Sequence, residues 1–266
     1  MRTKILSLLL ILFAINNVTF GQGKLLSDEQ SDLFYLSTKF CIDNISSTSK
    51  THLSDIIEQN NLPINDDLYC FNENEKKVTV GMLATSEKKD FILPSFFSGN
   101  YTWVFVWSDF EKVCKKKGIK IDLYPNAIDR KIMIANVSPI RLAHLLGIRN
   151  TPQVMWLCTF TVKVEDLFRP AYETSVYKNI SKSRIYGFNI SENLSEYDIE
   201  WLKKLLYNNV YPWTRLGYTF DCAYVYSTLY KSKSASKDLK DAIGVSEFIL
   251  KPRSRIEDVK AYIINP

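Results

Sequence analysis

The segment Tyr211-Pro212-Trp213-Thr214-Arg215-Leu216-Gly217-Tyr218-Thr219-Phe220-Asp221 carries the densest set of chemically useful side chains in the sequence. It offers aromatic faces that can stack on a base or sugar, and a planar guanidinium that can fork onto phosphate or carboxylate. Arg215 would bind and neutralise an oxyanion. Trp213, Thr214 and Tyr218 would hold the substrate, while Gly217 would let the backbone approach closely. Downstream, Glu247 stands at the head of the apolar run Phe248-Ile249-Leu250. Glu247 or Asp221 would act as general base or stabilise a developing cation. Arg215, Asp221 and Glu247 are therefore the catalytic candidates. The same cluster equally reads as a structural turn whose aromatics fill the core while Arg215 pairs with Asp221. Asp166 and Arg169 are a second candidate pair, whose simpler reading is a salt-bridged helix end before Pro170.

Other chemistries are poorly supplied. The chain has only two histidines, His52 and His144, too few for a histidine cluster. His144, between Ala143 and Leu145, reads as a packed core or edge residue. There is no Gly-x-Ser-x-Gly elbow, no His-Glu-x-x-His and no Cys-x-x-Cys. With nine glycines, two of them at positions 21 and 23, glycine-rich nucleotide loops are also disfavoured. No metal and no cofactor is expected.

Trp213–Thr219, followed by Gly244-Val245-Ser246-Glu247-Phe248, resembles segments of secreted bacterial proteins of unknown function. It is loosely similar to toxin-type domains, the small secreted ribonucleases and ADP-ribosyltransferases. The likeness is confined to the C-terminal part of the chain. Such transferases carry a Glu-x-Glu or Gln-x-Glu pair; here Val245 holds the earlier position and only Glu247 matches. Thr174-Ser175 is a partial counterpart of their Ser-Thr-Ser strand. The resemblance implies a secreted, metal-independent, toxin- or effector-like enzyme acting on a nucleotide-like or phosphate-bearing substrate. The alternative is a non-catalytic extracellular binding module for carbohydrate or a cell surface, which predicts exposed tryptophans on a flat or grooved face. A glycosidase would instead need two carboxylates across a cleft.

Several elements must position these residues. Ser27 with Gln30 predicts a capped helix, and Thr51–Gln59 a second one. Leu68–Phe71 and Val78–Leu83 read as strands around an Asn72-Glu73-Asn74 turn. Tyr101–Trp107 predicts a strand, and Ser108 with Glu111 a capping box for a helix ending at Gly118. Lys131–Val137 reads as a strand, Ser138-Pro139 as the start of a helix stopping at Gly147, and Val154–Val164 as a long strand. Ser195 and Asp198 open an amphipathic helix with Ile199, Leu202, Leu205 and Leu206 inward, closed by Asn208-Asn209. Strands follow near Val245–Leu250 and Ile256–Ile264. The expected class is α+β, mixed helices and strands around a mostly antiparallel sheet. The expected division is an N-terminal α+β region 22–170, a junction or loop 171–194, and a C-terminal α+β region 195–266, which can equally form one domain with the first.

The first 21 residues read as a signal peptide. Arg2 and Lys4 precede the apolar run Ile5–Ala14, and Thr19 and Gly21 suit cleavage before Gln22. The expected location is secreted or periplasmic, with no integral membrane segment after cleavage. Losing Arg2 and Lys4 but no acid lowers the formal charge from +5 to +3, a mild excess that does not by itself imply nucleic acid. Lysines between Lys231 and Lys240 are interrupted by Asp238 and read as a solvated insert. Export makes disulfides an option for Cys41, Cys70, Cys114, Cys158 and Cys222, but five is odd and spacing selects no pairing. Cys158, within Met155–Phe160, reads as a buried core thiol. Asn-x-Ser/Thr triplets at Asn44, Asn100, Asn136, Asn179, Asn189 and Asn193 read as chance products of composition.

Overall fold

A computed structural model describes residues 36–37, 68–86, 100–125, 133–148, 154–178, 190–206, 214, 217–223 and 243–264. Outside them lie segment 1–21, the helices expected at Ser27 and at Thr51–Gln59, the Asn208-Asn209 helix stop and the lysine-rich insert.

Among the described residues nine strands form a mostly antiparallel mixed sheet with three helices, an α+β fold as expected. The strands are β1 (Lys77–Ser86), β2 (Thr102–Val106), β3 (Asp122–Pro125), β4 (Met133–Asn136), β5 (Val154–Lys163), β6 (Leu167–Phe168), β7 (Tyr218–Phe220), β8 (Ile243–Leu250) and β9 (Glu257–Ile264). The order across the sheet is β3-β4-β9-β5-β1-β2-β8-β6, with β7 also paired to β8. Only β4 and β9 run parallel. Strands on both sides of residues 171–194 share this sheet, and Ala171, Glu173, Thr174 and Val176 are buried.

Alternation along the central strands fills both faces, which is why they read as apolar runs. Trp156, Cys158, Phe160 and Val162 pack with Val80, Met82 and Phe248 in one core cluster. Met155 and Leu157 join Phe105, Phe110, Leu142 and Val245 in another, under helices α1 (Trp107–Lys116) and α2 (Pro139–Leu145). Helix α3 (Glu196–Leu206) covers Phe168 and Ile249 with Leu202.

Helix ends follow the sequence in two cases and depart from it in a third. Ser138 caps α2 by accepting from the Arg141 N–H at 3.3 Å, with Pro139 in the first turn. Ser195 and Asp198 cap α3 reciprocally: Ser195 N donates to Asp198 Oδ2 at 2.9 Å, and Asp198 N to Ser195 Oγ at 3.2 Å. Helix α1 instead starts one residue before Ser108, with Val106 at its N-cap and no side-chain cap. The Ser108 hydroxyl is engaged with the Tyr69 phenol. Leu68–Phe71 is not a strand. Its backbone is claimed from elsewhere: Tyr69 N donates to Ser246 Oγ at 2.7 Å and Phe71 N to the Val176 carbonyl at 3.1 Å.

Candidate functional site

Pairing of β7 with β8 joins two segments that sequence alone leaves apart. Tyr218 lies opposite Ser246, and the Gly217 carbonyl accepts from the Glu247 N–H at 3.0 Å. Thr214 Oγ1 donates to the Tyr218 carbonyl, at the start of β7, at 2.6 Å. Thr219 Oγ1 donates to the Leu145 carbonyl at 2.7 Å and accepts from Val245 N at 2.9 Å. Both hydroxyls therefore hold framework, and Thr214 and Tyr218 are buried. Tyr218 as placed presents no face to solvent. Trp213 and Arg215 lie outside the described residues.

Arg169 is the centre of the first ionic cluster. It follows β6 directly and its side chain is fully buried. Nη1 donates to the Gly217 carbonyl at 3.1 Å, and Nη2 to the carbonyls of Tyr69 at 2.7 Å and Lys178 at 3.4 Å. The guanidinium stands 4.8 Å from the Phe248 ring centroid, within cation–π range. Nε finds no acceptor among the described residues. Burial lowers the Arg169 pKa to about 10, against the opposing pull of Cys70, Asp109, Glu247 and Glu173. Asp109 accepts from the Ser246 N–H at 3.0 Å, and burial holds its carboxyl above the ordinary range despite that bond. Glu173 accepts from Ser175 N at 3.3 Å and lies 3.5 Å from Lys178 Nζ. Glu247 itself is 5% exposed on a strand whose residues are all buried. Gly217 is required here, because its φ is +85° and a Cβ would meet Arg169 Cδ at 2.5 Å.

Asp221 is the centre of the second cluster, just past β7. Its two oxygens accept from Arg141 Nη1 and Nη2 at 2.8 and 2.7 Å, and Lys117 Nζ stands 3.0 Å away. Burial pushes its pKa up, but Lys117 and Arg141 outweigh that and leave it below the ordinary carboxyl value. The carboxylate is committed to these cations. His144 sits beside this pair, and burial lowers its pKa to about 4, partly countered by Asp221. Burial drives the Cys114 and Cys222 thiols up to about 12, so neither is a ready nucleophile. Cys158 is likewise a buried free thiol with a pKa raised to about 12 by burial. Cys70 is free and exposed. No bridge forms among these four, and Cys41 lies outside the described residues.

The structure thus brings Gly217, Glu247 and Arg169 together and sets Asp221 at the opposite end of β7. Asp166 is not the partner of Arg169, whose guanidinium goes to carbonyls instead. Sequence reasoning passed over Asp109, Arg141 and Lys117. The run Lys115-Lys116-Lys117 carries by itself only the signal of cations placed at a helix C-terminus. Among the described residues no group of three His, Cys, Asp or Glu side chains could hold a metal ion, and no helix is long and apolar enough to cross a membrane. Against protein-family models, curated proteins and solved structures, the chain finds no match.

Proposed function

We propose that the protein is a secreted, metal-independent enzyme of the toxin or effector kind, acting on a nucleotide-like or phosphate-bearing substrate. The observation that supports it is the backbone bond from the Glu247 N–H to the Gly217 carbonyl, which ties the strand carrying Glu247 to the residue just before β7. Arg215, two residues before Gly217 in the chain, is the phosphate clamp. Glu247 is the general base or cation stabiliser, with the buried Arg169 charge among its electrostatic partners. Trp213 stacks on base or sugar. Thr214, Tyr218 and Asp221 hold the turn and strand in place.

The test is inducible expression of residues 22–266 in a bacterial cytoplasm, beside Arg215→Ala and Glu247→Gln, at matched soluble levels. Growth arrest by the parent chain, relieved at least about tenfold in colony counts by each substitution, is expected from loss of a charged transition-state contact. Unimpaired growth with soluble parent protein would sink the enzyme reading.

A further inference from the structure

We infer that the aromatic surface where α3 meets the start of β2 is a stacking platform for a neutral sugar ring, built from side chains other than those of the Glu247 centre. Tyr197 is 70% exposed, the most exposed large hydrophobic side chain on the described surface. Its ring stacks on Tyr101 at 6.1 Å and 22°, and Tyr101 stacks on Trp201 at 4.1 Å and 24°. Both Tyr101 and Trp201 bed edge-on against buried Phe168, at 6.1 and 6.2 Å.

The rings are held before any ligand arrives. Tyr101 Oη donates to Asp198 Oδ1 at 2.6 Å, while Asp198 Oδ2 accepts from Ser195 N and Oγ. The capping box of α3 therefore also fixes the tyrosine that supports Tyr197. Burial, then the Asp198 bond, drives the Tyr101 phenol pKa far above its ordinary value, so that ring stays neutral and stays a donor. Preorganised rings bind a flat apolar face at low entropic cost. A pyranose has such a face in its axial C–H groups, with hydroxyls around the edge.

The rim selects the ligand class. One and two turns along α3 from Tyr197, Glu200 and Lys204 are both exposed. One acid and one base supply an acceptor and a donor for hydroxyls but no net charge. That suits a neutral glycan better than a phosphate-bearing strand, which needs a cationic track.

Affinity electrophoresis in gels cast with mixed-linkage β-glucan, xyloglucan, arabinoxylan or galactomannan tests this. At least one polymer should retard the parent protein and quench its tryptophan fluorescence. Tyr197→Ala, at an exposed position, should weaken that binding about tenfold or more, and Tyr197→Phe should retain it. Glu247→Gln should bind like the parent, so failure of the enzyme reading leaves this result intact. Equal binding by parent and Tyr197→Ala overturns the proposal. So does absence of retardation in all four gels, or binding confined to a single-stranded oligothymidylate.

Discussion

The three residues of β7 are clamped by ions at both ends, and the two clamps are built inversely. Before β7, a fully buried cation spreads its donors over backbone carbonyls and is balanced at longer range by carboxylates. After β7, a buried anion is gripped at contact by two cations whose side chains remain 21% and 15% exposed. The first clamp is sealed, so it depends on shape and on donors meeting acceptors. The second opens to water, so part of its strength is ordinary charge attraction, exposed to salt and acid.

Three measurements test that contrast directly. Arg169→Met should cost most, about 3–5 kcal/mol, because it strands buried carboxylates and carbonyls without their cation. It should appear as a large fall in the urea midpoint. Asp221→Asn should cost less, about 1–3 kcal/mol, because Arg141 and Lys117 can regain water. Moving from low salt to 1 M NaCl, where screening acts over about 3 Å, should narrow only the Asp221→Asn deficit. If the two substitutions rank the other way, the distinction between sealed and open clamps fails.

Acid separates the clamps by sign. The folded His144 pKa of about 4 lies below its ordinary 6.5. The unfolded chain therefore takes up that proton first, and stability should fall by roughly 3 kcal/mol between those two pH values. His144→Gln should flatten this limb of a denaturation-versus-pH curve. Asp221, with its pKa depressed below 3.8, adds stability that is complete above that pH and is lost only on further acidification. Asp109 works oppositely. Its raised folded pKa means that stability drops as pH climbs from 3.8 through the folded value, so acid relieves the Arg169 end.

Gly217 probes the sealed clamp on a smaller scale, with Gly118 as its reference. Gly217→Ala combines a left-handed backbone with a collision against Arg169 and should cost about 2 kcal/mol. Gly118, with φ +67° but open space where a Cβ would stand, ends α1 and should lose only about 1 kcal/mol on change to alanine. Equal losses would mean that Arg169 yields readily, and that its cluster is softer than its burial implies.

Much of the fold was legible because its signals are local. Apolar, aromatic and β-branched runs marked β1, β2, β4, β5, β8 and β9, and caps marked α2 and α3. Misreadings occur where a distant partner decides. Leu68–Phe71 has strand composition, yet its backbone bonds go to Ser246, Val176 and Arg169. β7 was hidden inside a cluster read as a turn, because only contact with β8 makes it a strand. The candidate site was half legible. Glu247, Gly217 and Arg169 stood out by type, but the sequence paired Arg169 with Asp166 rather than with the Gly217 carbonyl, and Asp109 did not stand out at all. Arg141 reaches Asp221 across 80 positions, and Arg169 reaches Gly217 across 48. No spacing rule spans such intervals.

The place of β8 and β9 in the sheet also bears on how the chain comes to be folded. Among the described residues, pair β3–β4 joins the rest only through β9, and β6 and β7 join only through β8. A ribosome-bound chain ending before residue 243 would have β1, β2 and β5 paired, but two groups of strands with no neighbour to receive them. Assembly therefore waits for β8 and β9 to emerge, and such non-local pairing is slow. Until then the apolar faces of β4 and β6 are exposed. Truncation anywhere within β8 or β9 should yield an aggregating chain rather than a smaller folded one.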